Sequence, residues 1–462
     1  ITFFKSVYKR HTNFAIESIQ APITGDADFG KKITINIPRK ADLLHTMIME
    51  VDLPTLTTSA SVAGAPSTAT GTVTFVDNIG HALINYAEIR IGGNVIDRQY
   101  GEWMEIWTQL SQSESKKNAL DIMLDRTGNL NTSGDKTVYI PFQFWFCRNI
   151  GLALPLVALQ YHEVELEIEL RPLSELTTTG QNPYYFATGV AGTNTVTLTK
   201  IDSDNTPSID SLIRGRILVL SDGSTYTISF DGTDNSSFSS SPYTVTLTNN
   251  LLKTINNDEA FIKPNGVLSN TPTITQTRIF LDYIYLDTYE KKEFSIAKHR
   301  YLIEQLQYNG EETLEGNTNN QIIKVNFNLP IKELFWVFKL HKTELTNDLF
   351  NYSDNVASGI VKGNILKQGT IMINGLERFQ ERTGDYFRLI QPYQKHTRVP
   401  ENFFCYVYSF ALNPEDYQPS GCSNFSKIDN VNLKISLNDN IAINNIRIYG
   451  LNYNILRIFN GM

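Results

Sequence analysis

Glu163, Glu165, Glu167 and Glu169 stand at every second position, alternating with Val164, Leu166, Ile168 and Leu170. On a strand that pattern puts the carboxylates on one face, where paired acids can hold a cation or divide acid and base roles. Same-face neighbours on a strand lie about 6.8 Å apart, too far to share one small ion. The expectation is therefore a solvated or subunit-facing ladder rather than a metal or catalytic site. The histidines at 11, 45, 81, 162, 299, 341 and 396 are scattered and form no HExxH pattern. No Gly-x-Ser-x-Gly elbow, P-loop or dinucleotide fingerprint occurs, and Gly92-Gly93 sits in a hairpin-like context. DSDN at 202–205 and FDGTDN at 230–235 resemble pieces of a calcium loop. The glutamate expected at the twelfth position is replaced by Ile213 and Pro242, so both are set aside. No catalytic, cofactor-binding or metal residue is assigned, and no enzyme is expected.

Charge and cysteine narrow the classes further. A net charge of -8 argues against a surface that wraps nucleic acid by counterion release, so direct nucleic-acid contact is not expected. Cys147, Cys405 and Cys422 are odd in number with no metal spacing, which predicts free thiols and a reducing compartment. No apolar run reaches the roughly 18 residues of a membrane span. The sequence opens on Ile1, which places the true start upstream. The sequons at Asn131, Asn235, Asn351 and Asn424 are read as chance triplets. Residues 1–25 mix Lys5, Lys9, Arg10 and His11 with Phe3, Phe4, Tyr8 and Phe14. They form either a first strand with solvated basic residues or an arm that docks on a partner through Lys5, Lys9 and Arg10.

The elements around these residues say nearly the same thing twice. Ile33 to Pro38, with a strand after it, returns as Lys324 to Pro330 with another strand. Ile89-Arg-Ile-Gly-Gly93, then Gly101 and an apolar helical face at 103, 106, 107 and 110, returns as Ile371-Met-Ile-Asn-Gly375, then Gly384 and 386–390. Val164–Leu170 returns as Val431–Leu437. The offset falls from 292 (Pro38 to Pro330) through 282 (Gly93 to Gly375) to 267 (Val164 to Val431), as two copies of one fold with unequal loops require. The joint is a strand at 279–286, apolar enough to be buried on both faces, followed by a charged connector; 445–459 is its equivalent in the second copy. Residues 139–147 read as a strand and 55–71 as a mobile loop. Residues 176–275 have no counterpart and hold short alternating strands, a small β insertion standing off the first copy. The expected division is an arm at 1–25, a first domain at 26–286 with its insertion, and a second at 287–462.

Four blocks carry a resemblance. Residues 2–17, TFFKSVYKRHTNFAIE, residues 91–103, IGGNVIDRQYGEW, residues 413–426, NPEDYQPSGCSNFS, and the closing LNYNILR at 451–457 resemble the major capsid proteins of nucleocytoplasmic large DNA viruses. The resemblance implies an all-β double jelly roll, two eight-stranded antiparallel β-sandwiches in one chain, with a β-rich insertion in the first. It implies a homotrimer with a pseudo-hexagonal outline that tiles an icosahedral shell, found in the virion and assembled in the host cytoplasm. It also implies minor capsid proteins and an internal membrane surface as partners, with the insertion facing outward, the arm inward, and no cofactor. The alternative is a β-sandwich that binds carbohydrate or acts on glycosides.

Overall fold

The computed structural model describes residues 4, 11–60, 73–126, 136–178, 184–200, 216–220, 224–229, 242–263, 266–268, 271–314, 321–340, 343–344, 347–353, 363–438 and 443–459. In the first half the strands are β1 (Phe14–Ala21), β2 (Lys32–Asn36), β3 (Leu43–Leu53), β4 (Ile84–Ile91), β5 (Asn94–Tyr100), β6 (Lys136–Pro141) and β7 (Val164–Leu170). An insertion supplies β8 (Tyr184–Gly189), β9 (Thr195–Lys200), β10 (Ile217–Leu220), β11 (Thr225–Thr227), β12 (Tyr243–Thr246) and β13 (Ile255–Lys263), after which β14 (Gln276–Leu286) returns to the body. The second half holds β15 (His299–Thr313), β16 (Gln321–Lys324), β17 (Pro330–Leu340), β18 (Leu366–Ile373), β19 (Leu376–Glu377), β20 (Tyr406–Ser409), β21 (Val431–Leu437) and β22 (Ile443–Ile458).

Alternation sends the apolar side chains of each strand to one side, and two sheets bury those sides against each other. The first half pairs its main strands in the orders β1-β14-β3-β6 and β2-β7-β4-β5. The second half repeats both orders, β15-β22-β17-β20 and β16-β21-β18-β19. Every pairing is antiparallel, and each half is an eight-stranded jelly-roll sandwich with short extra pairings at its margins. Ile33, Ile35, Met49, Val51, Leu166, Ile168, Ile279 and Leu281 fill the first core. Leu334, Trp336, Phe338, Ile371, Leu433, Ile435 and Ile448 fill the second. The repeated turn is a matched device: Gly92 and Gly93 have φ of 57° and 80°, and Asn374 and Gly375 have 49° and 79°. Two successive positive φ values are what a two-residue type I′ hairpin needs, which explains Gly-Gly in one copy and Asn-Gly in the other.

The insertion is closed. Its strand order is β11-β10-β13-β8-β9-β12, and the two outer strands meet through Ser229 N–H to Thr246 O (2.8 Å) and Thr248 N–H to Thr227 O (2.9 Å). The result is a six-stranded barrel around Tyr185, Val196, Leu198, Leu218, Val245 and Ile262, a core separate from both sandwiches.

Several local expectations change. Residues 14–21 form an edge strand on β14, so this part of the arm is sheet. Strand β14 turns Ile279, Leu281 and Tyr283 into the sandwich core; on its other side Ile284 is buried against Leu43 and Ala153, while Phe280 and Asp282 are only half-covered. The charged connector is a helix, Thr288–Ile296, begun by the Asp287 side chain, which accepts from Thr288 N–H; no residue in it is buried. The strand expected over 139–147 stops at Pro141, and Trp145–Arg148 is helical. Within the expected loop at 55–71, Thr58–Ala60 pairs with Gly266–Leu268 at the root of the barrel.

Candidate functional site

The residues that carry the most physical chemistry lie where the two sandwiches meet. Tyr100 ends β5 and the chain turns at once into a helix, Gly101–Ser111. Gly101 is required there, since a Cβ would stand 2.1 Å from His81 O and 2.3 Å from Ile84 O. Trp103, Ile106, Trp107 and Leu110 then face the second sandwich and pack on Phe335, Val337, Phe404, Tyr449 and Leu451. The Trp103 and Phe335 rings meet edge to face with centroids 4.9 Å apart. Met104, on the opposite side, belongs to the first core. A helix covered on both sides is a wedge between domains.

Buried charges surround this wedge. Glu102 accepts from Tyr352 (2.8 Å) and Tyr449 (2.6 Å), and lies 3.3 Å from Lys339 Nζ and 3.2 Å from Arg447. Burial pushes its carboxyl up, but Arg447, Lys339 and the two hydroxyls overcome this and hold it well below the usual carboxylate range. Burial lowers Lys339 to about 8 against the pull of Glu102. One turn on, Glu105 accepts from His81 (2.7 Å) and Arg126 (2.8 Å), both from the first half. Asp97 crosses the joint by accepting Leu306 N–H at 2.9 Å, and burial raises it to about 6. On the far side His396 places its two ring nitrogens 2.9 Å from Glu333 and 2.9 Å from Glu415. Burial disfavours its charge, yet the two carboxylates win and raise it to about 9. Lys332 pairs with Glu304, whose other oxygen is 2.8 Å from Arg148 of the first half. Buried pairs of this kind contribute little net stability, but only one orientation of the partners brings them together.

The glutamate ladder is neutralised at its centre, while Glu163 at its end is exposed as expected. Glu167 is buried, with Lys32 at 2.6 Å, Arg90 at 3.3 Å and the Tyr86 hydroxyl at 3.1 Å. Glu169 accepts from Asn85 at 2.7 Å. Opposite Glu167, the buried Glu88 is held by Arg90 and Arg98, each at 2.6 Å. Strands β2, β4 and β5 supply these cations, which the spacing within one strand cannot reveal. Among the described residues no group of three potential ligands is placed to hold a metal ion. Lys5, Lys9 and Arg10, the two calcium-like loops, Asn131 and Asn235 lie outside the described residues. Asn351 is buried against Ser353, and Asn424 caps Ser426. All three cysteines are free.

Sequence reasoning missed Glu102, Glu105, Asp97, Lys332, Lys339, His396 and Arg447. A signal exists for the lysines: PIKELFWVFKL carries Lys332, Glu333 and Lys339 inside a largely apolar, aromatic strand, where a charge must find a buried partner.

Comparison with known proteins follows the same division. Residues 2–214 match the family described as major capsid protein N-terminus, and residues 290–462 match large eukaryotic DNA virus major capsid protein. The first match runs into the insertion, leaving 215–289 under neither. The major capsid protein of Pyramimonas orientalis virus is 32% identical over 100% of this chain and 92% of its own. The capsid chain of a quasi-atomic model of the PBCV-1 virus capsid superposes with a TM-score of 0.69 at 28% identity, covering 100% of this chain and 98% of that one. The Faustovirus major capsid protein shares the fold, with a TM-score of 0.64 at 14% identity over 99% and 93% of the two chains.

Proposed function

This chain belongs to the major capsid proteins of large eukaryotic DNA viruses, and from that premise we propose that its work is the geometry of a shell building block. It is a structural protein of the virion, not an enzyme. The observation that carries the reading is the repeated sandwich locked by the wedge helix. Two like lobes in one chain, held at one angle, give six lobes when three chains join. A homotrimer of this kind has a pseudo-hexagonal outline and tiles a facet of an icosahedral capsid through many modest contacts multiplied by copy number.

Finer parts of the reading have separate support. The barrel rises from the β7 to β14 connection, at one end of the first sandwich, which fits an outward position. Strand β14 then runs eleven residues away from it, about 35 Å, so the connector helix lies at the opposite, inward end. Strand β1 begins beside that end, at Phe14 opposite Leu286, which supports a role for Lys5, Lys9 and Arg10 in contacting interior partners. Those partners are minor capsid proteins or an internal membrane surface, with assembly in the host cytoplasm. The units 26–286 and 287–462 are the two lobes. Nothing in the site favours the sugar-binding or glycosidase alternative, because Glu88 and Glu167, the facing carboxylates, are already neutralised.

Light scattering of the purified chain, followed by negative-stain imaging of the peak, tests the proposal. The expected result is a species near three times the chain mass of 52.3 kDa with a hexagonal outline. A clean monomer at high concentration overturns it.

A further inference from the structure

At the end opposite the barrel, two arginines face each other with nothing between them. Arg300 on β15 is the direct cross-strand partner of Arg457 on β22. Like charges placed opposite one another in a sheet repel. Both side chains are exposed, and among the described residues neither has a carboxylate within ion-pair distance. Lys298, just before the strand and lining the same cleft as Arg300, is exposed and equally without a partner among the described residues. The face continues into apolar surface through Ile455, 54% exposed, and Phe459, 47% exposed. Beside it opens a cleft of about 470 Å³ lined by Leu43, Ile150, Ala153, Phe294, Lys298 and Arg300. Its wall is ordered, since His299 stacks between Phe294 and Tyr301 with centroids 5.4 and 5.7 Å away.

We propose that this corner docks an acidic segment of a second protein, its carboxylates on Arg300 and Arg457 and an apolar side chain in the cleft. The inference rests on the capsomer reading, which turns this end inward. Paired guanidinium forks on a rigid ladder match carboxylates bidentately. In a chain of net charge -8, three neighbouring cations without partners mark a local complement for acid. An anionic membrane is the poorer fit: the adjoining helix carries Asp287, Glu290 and Glu293 beside its lysines, so the positive field is confined to the corner. Glu293 also lines the cleft, and its carboxylate is engaged by the Tyr289 hydroxyl.

The test uses the full chain in its oligomeric form and a fluorescein-labelled decapeptide alternating glutamate with phenylalanine and leucine, followed by anisotropy. A glutamine version of the peptide and phosphatidylserine vesicles serve as controls. The expected result is binding of the glutamate peptide alone, weakened by salt, and ~10-fold or more weaker in the Arg300→Gln, Arg457→Gln double variant. That variant melts no lower than the parent, because a repulsive pair is gone. Equal binding by parent and variant, absence of peptide binding, or binding to vesicles but not to peptide each overturns the proposal. Light scattering on the same samples separates the two readings. A trimer that ignores the peptide rejects the docking site alone, and a parent chain that never forms a trimer rejects the capsomer.

Discussion

Glu102 in the first half and Arg447 in the second meet across the joint, the guanidinium 3.2 Å from the carboxylate, with Tyr449 on the same oxygen at 2.6 Å. The contact spans the two lobes in space, so it fixes their relative angle and not merely the stability of either one. That makes it the natural place to probe the building block.

Glu102→Ala leaves Lys339 buried without its acid and Arg447 with Glu311 alone. Breaking one side of a buried network costs about 3–5 kcal/mol. Urea denaturation of the variant is expected to show that loss, and a change below about 1 kcal/mol would mean the joint reorganises freely.

Trp103→Ala empties the centre of the aromatic contact with Phe335 and Tyr449. The expected cost is about 3–5 kcal/mol. Calorimetry should show the single transition of the parent dividing into two as the lobes uncouple. A melt that stays single and unshifted would place the coupling elsewhere.

His396 sets an alkaline limit. Burial opposes its charge, but Glu333 and Glu415 outweigh this and raise its native value to about 9, above the unfolded value near 6.5. For a base with a raised value the stabilisation is complete below about 6.5 and disappears as pH rises through about 9. The melting-temperature difference between parent and His396→Gln should therefore be largest near pH 6 and shrink steadily to pH 10. A pH-independent difference would refute the charged imidazolium.

Asp97 should show the opposite economy of charge. Its value is raised to about 6 by burial, so holding it ionised above that pH costs stability, and the cost vanishes below the unfolded value of about 3.8. Asp97→Asn, which still accepts Leu306 N–H, is expected to melt higher than the parent at pH 8 and level with it near pH 4. A variant that melts lower at pH 8 would show the charge to be favourable.

Gly101→Ala and Gly384→Ala are expected to behave alike. The added carbon would stand 2.1 Å from His81 O in one copy and 2.2 Å from Leu366 O in the other, and neither backbone oxygen can retreat cheaply. Poor soluble yield for both, against near-normal yield for Ala191→Gly at an exposed turn, is the expected pattern.

The repeat was legible because its landmarks answer to local constraints. Gly93 and Gly375 are turn residues with positive φ, Gly101 and Gly384 sit against a carbonyl, and the apolar positions of β7 and β21 match one for one. Such constraints write themselves into the residue type. The joint was not legible for the opposite reason. Whether Glu102 is buried depends on Tyr352 and Arg447, hundreds of residues away, and a lone glutamate beside a tryptophan looks the same on a solvated helix. The ladder failed similarly: Glu167 is read correctly only when Lys32 and Arg90 are known to flank it. Edge position is equally a tertiary fact, which is why β1 could not be told from an arm.

The closed barrel enters and leaves the body side by side, since the first residue of β8, Tyr184, is the strand partner of Phe261 near the end of β13. Facing residues in an antiparallel pair are only about 5 Å apart. To the sandwich beneath, the whole insertion is a stub no wider than a tight turn. The barrel has its own core and, among the described residues, its two outer strands close on each other, so its sequence is free to change, or be exchanged for another closed module, without moving the lobes that tile the shell. On the outward placement proposed above, the outer contour of the particle and the lattice that carries it can evolve separately.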